Sequence, residues 1–221
     1  MKFYLMGGET PGKTKLYEIM LKITGKDNPK ILYFPNASVD YQNSFERFKK
    51  QTDGFNCYIE LFLNQDVSFN DYDILYFGGG ITQKIVFELR SLKDLIIKSN
   101  CLLAGSSAGA NMWFLAGVGD FYSYYDNFHT YNYKLIKGFG AINATFCPHY
   151  QKEDLIVYND MVKEYEADGF ALENDTALFL NDSYFEIFKQ NNASSAYWFK
   201  RTENYKMIPL YEGIKYKIKE D

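Results

Sequence analysis

Short apolar runs alternate with longer amphipathic ones over the first hundred residues of the chain. Residues 2–6, 31–34, 57–63, 74–77 and 101–104 are brief and apolar, the pattern of strands buried on both faces. Between them, residues 13–23 carry Leu16, Ile19, Met20 and Ile23 at helical spacing, and residues 41–51 read as a polar amphipathic helix. A further helix is expected over 83–99, with a break near Ser91. Such alternation predicts a mostly parallel sheet covered by helices on both faces.

The pattern changes after Phe139. Residues 141–146 predict a strand and 154–166 a helix. The runs 170–172, 176–180, 184–189, 196–200 and 205–210 then follow at short intervals with turn residues between them. Connections that short favour antiparallel strands, which would complete or extend the sheet. Neither an internal repeat nor a linker interrupts the chain, so residues 1–221 are expected to form one domain.

Ligand sites in open sheets of this kind lie outside the carboxyl ends of the strands. Three sharp or Gly-rich turns fall at such ends: Gly7-Gly8, Gly78-Gly79-Gly80, and Gly105-Ser106-Ser107-Ala108-Gly109. The last is the most informative stretch of the chain. A buried strand runs into G-x-S-x-G and straight on into a small-residue helix, which is how a chain presents a nucleophilic serine at the apex of an elbow. Gly105 and Gly109 leave room for that turn, and the N–H of Ala108 lies where a developing oxyanion would be stabilised. Gly78-Gly79-Gly80 lacks the lysine and hydroxyl of a phosphate loop and the continuation of a dinucleotide fingerprint. Its bare backbone suits a second oxyanion donor, from Gly79.

A serine nucleophile needs a base, and the chain has two histidines. His149 ends the strand-like run Phe146-Cys147-Pro148, a rigid mount at the crevice; His129 lies in a polar, aromatic loop and reads as a surface residue. His149 is therefore the expected base. Asp120, where the chain turns back beyond the elbow helix, is the first choice for the carboxylate that orients it, with Asp126 and Glu173 as alternatives. The Tyr-rich segment 121–133 is a candidate lid.

Composition narrows the setting. The net charge of −4 comes without a basic stripe, which argues against a nucleic-acid partner. No leader and no long apolar span is evident, and Cys57, Cys101 and Cys147 lack metal-ligand spacing. A cytoplasmic protein with reduced thiols, no cofactor and no metal is expected. A membrane partner is not expected, and a homodimer is possible.

The order serine, aspartate, histidine matches α/β-hydrolases, but the histidine comes too soon after the serine and no HGGG-type segment is present. The motifs resemble instead the peptidase E and cyanophycinase family of serine peptidases. Ile31-Leu32-Tyr33-Phe34-Pro35-Asn36-Ala37-Ser38 is similar to that family's second strand and turn. Phe77-Gly78-Gly79-Gly80-Ile81-Thr82-Gln83 is similar to its G-G-G-N-T segment. Gly105-Ser106-Ser107-Ala108-Gly109-Ala110-Asn111 is similar to its G-x-S-A-G-A-N motif, and Pro148-His149-Tyr150 to its P-H-[FY] motif.

The resemblance implies a three-layer α/β sandwich like a class I glutamine amidotransferase, and hydrolysis of small peptides through an acyl-enzyme on Ser107. His149 would be the base, Asp120 the orienting acid, and the N–H groups of Gly79 and Ala108 the oxyanion hole. Ile81 stands where the family has Asn, and Ser106 where its aspartyl dipeptidases have Trp. The arginine that holds the substrate's aspartate in those dipeptidases has no counterpart in residues 151–166, where Lys152 is a point-charge substitute. Cleavage after an N-terminal Asp is thus suggested but not specified. A non-catalytic binding protein, or an esterase or amidase with the same triad, is the alternative reading.

Overall fold

The computed structural model describes residues 1–63, 67–119, 133–151, 155–203 and 205–218, with backbone alone for 155–157. Its larger sheet is built on four parallel pairings. Strands β1 (Lys2–Met6), β2 (Lys30–Phe34), β3 (Tyr58–Leu61), β4 (Ile74–Phe77) and β5 (Leu102–Ser106) lie in the order β1-β5-β4-β2-β3. Parallel neighbours require crossovers, and most are supplied by helices α1 (Lys15–Ile23), α2 (Tyr41–Gln51), α3 (Thr82–Leu89) and α4 (Lys93–Lys98). The helical run expected over 83–99 is indeed interrupted, between Leu89 and Lys93.

Strand β1 shows why the central strands read as continuous apolar runs. Phe3 and Leu5 face one core, with Leu103, Phe34, Phe77 and Trp113; Tyr4 and Met6 face another, with Leu16, Met20, Ile31 and Tyr76. Both faces are covered, so alternation disappears. Helices α1 and α2 form the layer on the Tyr4 side. Helices α3 and α4, with the short α5 (Ala108–Asn111), form the layer on the Phe3 side, which completes a three-layer α/β sandwich.

The late strands divide between two sheets. Strands β10 (Thr176–Leu180) and β11 (Tyr184–Lys189), joined by a short connection, extend the larger sheet antiparallel beyond β1 as expected, and β14 (Tyr216–Lys217), with no counterpart among the expected strands, adds to its edge. Six others make a second sheet, β13-β12-β9-β8-β6-β7: β6 (Phe114–Gly119), β7 (Lys134–Lys137), β8 (Ile142–Cys147), β9 (Asp168–Leu172), β12 (Ala196–Lys200) and β13 (Lys206–Pro209). This sheet puts Ile142, Ala144, Phe146 and Phe170 into the core beneath β1, and its other face meets Tyr158 and Val162 of α6 (Leu155–Glu164). The expectation that all the late strands join one sheet therefore fails for β9, β12 and β13. Residues 173–175, between β9 and β10, carry the chain from one sheet to the other instead of closing a hairpin. No helix among the described residues is long and apolar enough to cross a membrane.

Candidate active site

Four chain segments converge where the two sheets meet: the turns after β1, β4 and β5, and the end of β8. Backbone hydrogen bonds at Met6, Gly7 and Gly8 tie the turn after β1 to the β5 elbow, to the end of β8 and to the segment after β9. His149 N donates to Gly7 O at 2.9 Å, Asp175 N to Gly8 O at 2.9 Å, and Ser107 N to Met6 O at 3.1 Å. The glycine pair thus ties the second sheet to the end of the first.

Ser107 occupies the β5–α5 elbow with φ 52° and ψ −114°. That region is costly for a residue with a Cβ and persists only where the surroundings enforce it. Packing enforces it here: a Cβ on Gly105 would come within 2.6 Å of Gly109 O, and one on Gly109 would strike Phe77 O. The helix after the elbow is anchored by Asn111, whose Nδ2 donates to Val118 O at 2.7 Å and to Thr82 Oγ1 at 3.2 Å.

His149 also has a positive φ, 51°, and its ring Nε2 lies 2.8 Å from Ser107 Oγ. Nδ1 lies 2.5 Å from Oδ1 of Asn174, in the segment that passes between the sheets. A carbonyl oxygen can only accept, so Nδ1 carries the proton and Nε2 presents its lone pair to the serine hydroxyl. This is the tautomer a general base requires. The residue that fixes it is an amide, Asn174, which no carboxylate pattern in the sequence marks. Its signal was modest: a polar triplet, Glu173-Asn174-Asp175, between two apolar runs.

Of the carboxylates expected in that role, Glu173 is the one among the described residues. Glu173 Oε2 accepts from Ser195 N at 2.8 Å, and so holds the loop before β12 rather than His149. Asp120 and Asp126 lie outside the described residues, as do His129, Lys152 and nearly all of the candidate lid. Asp175 supports the site from behind. It accepts from Thr10 N and Oγ1, both at 2.9 Å, and from Lys13 Nζ at 2.6 Å. Burial pushes the Asp175 carboxyl up, but the lysine and the two threonine donors outweigh it and hold it below the usual carboxylate range.

The candidate oxyanion donors flank the serine. A Cβ on Gly79 would sit 3.5 Å from Ser107 Cβ, which places that glycine's backbone beside the nucleophile. Ala108 begins α5 directly after the elbow. Ile81, where the resembling family has Asn, is buried, and its N–H donates to Ala37 O at 2.8 Å.

Ser107, His149 and the Gly78–Gly80 turn line one cavity of about 310 Å³. Its wall also includes Glu9 from the turn after β1, Arg47 from α2, and the buried Tyr17 and Tyr76, none of which a sequence motif marks. Both tyrosine hydroxyls donate to the Glu9 carboxylate, Tyr76 at 3.0 Å. Burial, with the Glu9 charge adding to it, raises both tyrosines well above their ordinary range, so they remain donors at neutral pH. Tyr33, which bonds Ser44, is pushed up to about 12, again chiefly by burial.

A curated relative, the uncharacterized peptidase YgaJ of Bacillus subtilis (strain 168), is 28% identical over 203 residues, with 85% of each chain covered. The sequence model of peptidase family S51 matches residues 3–188, from β1 through β11 and including every segment that builds the Ser107 site. On the extent of that match the chain belongs to peptidase family S51, the peptidase E family of serine peptidases.

Proposed function

We infer that the protein hydrolyses short peptides through an acyl-enzyme on Ser107, as a dipeptidase E-like enzyme. The observation that carries this reading is the 2.8 Å approach of His149 Nε2 to Ser107 Oγ at a strained elbow facing an open cavity. Nε2 takes the hydroxyl proton as Oγ attacks the scissile carbonyl carbon. The resulting oxyanion is received by the N–H groups of Gly79 and Ala108. His149 then returns the proton to the leaving amine, the C–N bond breaks, and water repeats the sequence on the ester. Asn174 holds the ring in the productive tautomer throughout.

The cavity volume of about 310 Å³ is at the small end for ligand pockets, which suits a dipeptide better than a long chain. Arg47 offers a cation for an acidic side chain on the first residue, a charge that residues 151–166 do not provide through any arginine. The deciding experiment is fluorophosphonate labelling of the wild type and of Ser107→Ala, with the adduct located by mass spectrometry, followed by dipeptides beginning with Asp. An adduct on Ser107 together with dipeptide hydrolysis is expected. No adduct on folded protein would overturn the serine mechanism, and turnover of p-nitrophenyl esters without any peptide would overturn the peptidase assignment.

A further inference from the structure

Glu9 is an anion placed where peptide hydrolysis itself needs none. Its carboxylate faces the same cavity as Ser107 and His149, at the end of the segment that holds the histidine's backbone. Among the described residues it has no cationic partner within 4 Å; its hydrogen bonds come from the hydroxyls of Tyr17 and Tyr76, which stand 3.3 Å from each other. Tyr17 and Tyr76 are each about 1% exposed, so the carboxylate is set in a fixed orientation by donors that cannot reorient. A carboxylate offers about four acceptor positions, and two tyrosines use two of them. The remainder point to a ligand that can donate, and the uncompensated charge selects a cationic one.

We propose that Glu9 is the receptor for an ammonium group of the substrate and thereby a specificity-determining residue. The proposal rests on the peptidase reading above and names what its cavity recognises. The α-ammonium of a peptide's first residue is one bond from the α-carbon and two from the carbonyl carbon that Ser107 would attack. A carboxylate in the wall of the same small cavity would therefore restrict cleavage to the bond after a free N-terminal residue. The cavity would also match a first residue that carries both charges, with its ammonium on Glu9 and an acidic side chain toward Arg47. A lysine or arginine side chain presents the same cationic chemistry, and the test separates the two sources.

Binding is measured by calorimetry on full-length Ser107→Ala, which keeps the cavity without turnover, with and without Glu9→Gln. The ligands are Asp-Leu, N-acetyl-Asp-Leu, N-acetyl-Lys-Leu and N-acetyl-norleucyl-Leu. Asp-Leu is expected to bind on the order of 10- to 100-fold more tightly than its acetylated form, and Glu9→Gln to erase that ratio. A lysine-over-norleucine preference that Glu9→Gln erases would assign the receptor to a side-chain ammonium instead, with the role of Glu9 unchanged. Equal binding of free and acetylated ligands in both pairs overturns the proposal, as does a Glu9→Gln variant that weakens all four equally. Should Glu9→Gln not fold, Glu9→Asp withdraws the charge by one methylene and is expected to shrink the same ratio; an undiminished ratio overturns the proposal. Because no turnover is needed, failure of the serine mechanism, read by labelling of the wild type, leaves this result interpretable.

Discussion

His149 Nδ1 and Asn174 Oδ1 are 2.5 Å apart, so a neutral amide stands where serine hydrolases commonly place a carboxylate. The amide sets the tautomer but brings no charge to stabilise an imidazolium. Asn174→Ala is expected to lower kcat/KM by about 100-fold through loss of ring orientation. Asn174→Asp is expected to raise it on the order of ten-fold, since a charge-assisted bond is roughly twice as strong as a neutral one. Steady-state kinetics on both variants, with melting temperatures as a control, check this; a folded Asn174→Asp with unchanged or lower activity would contradict it.

Gly8 leaves the space that the histidine uses. A Cβ there would collide with Asn174 Oδ1 and with His149 Cε1 and Nδ1. Gly8→Ala should therefore separate His149 from Asn174 and cost about 100-fold or more in kcat/KM, since an ångström of misplacement suffices for that. Full activity in this variant would show that the contact is dispensable.

The elbow stores strain that the fold must offset. With Ser107 at φ 52° and ψ −114°, both the native residue and Ser107→Ala carry the penalty of a Cβ in that region, whereas Ser107→Gly does not. Both variants should be inactive, with Ser107→Gly more stable than Ser107→Ala by about 1 kcal/mol in chemical denaturation. Equal stabilities would mean that the backbone relaxes once the hydroxyl is gone.

Asp175 links the turn bearing Glu9 to the turn bearing Asn174. Its carboxyl titrates lower in the folded chain than in the unfolded one, so the unfolded state takes up its proton first as pH falls. The stability it contributes is complete above the unfolded value of about 3.9 and is lost as pH drops through the lower folded value. Asp175 has φ 64°, a conformation asparagine also tolerates, so Asp175→Asn isolates the charge. That variant should be less stable by about 2 kcal/mol at neutral pH and should show a weaker acid dependence in thermal melts taken from pH 6 to 2. Parallel melting curves for the two proteins would refute the assignment.

Most of the secondary structure and the elbow follow from local sequence. Strands buried on both faces are short and apolar, and Ile74–Phe77 or Thr176–Leu180 can be read from that run alone. The elbow is equally local, since two glycines flanking a serine between a strand and a helix specify a single turn. Which strands share a sheet and which polar groups meet depends instead on packing across the whole fold. The run 170–172 looks the same in either sheet, and only packing of Phe170 beneath β1 assigns it to the second. That assignment makes residues 173–175 a crossing between sheets, which carries Asn174 to His149 while Glu173 turns to Ser195. Adjacent residues on extended chain point to opposite sides, so choosing between Glu173 and Asn174 required the path of the backbone. Glu9, Tyr17 and Tyr76 lie on a turn, a helix and a strand, and no local pattern joins them; their hydrogen bonds exist only because the sheet and α1 pack together.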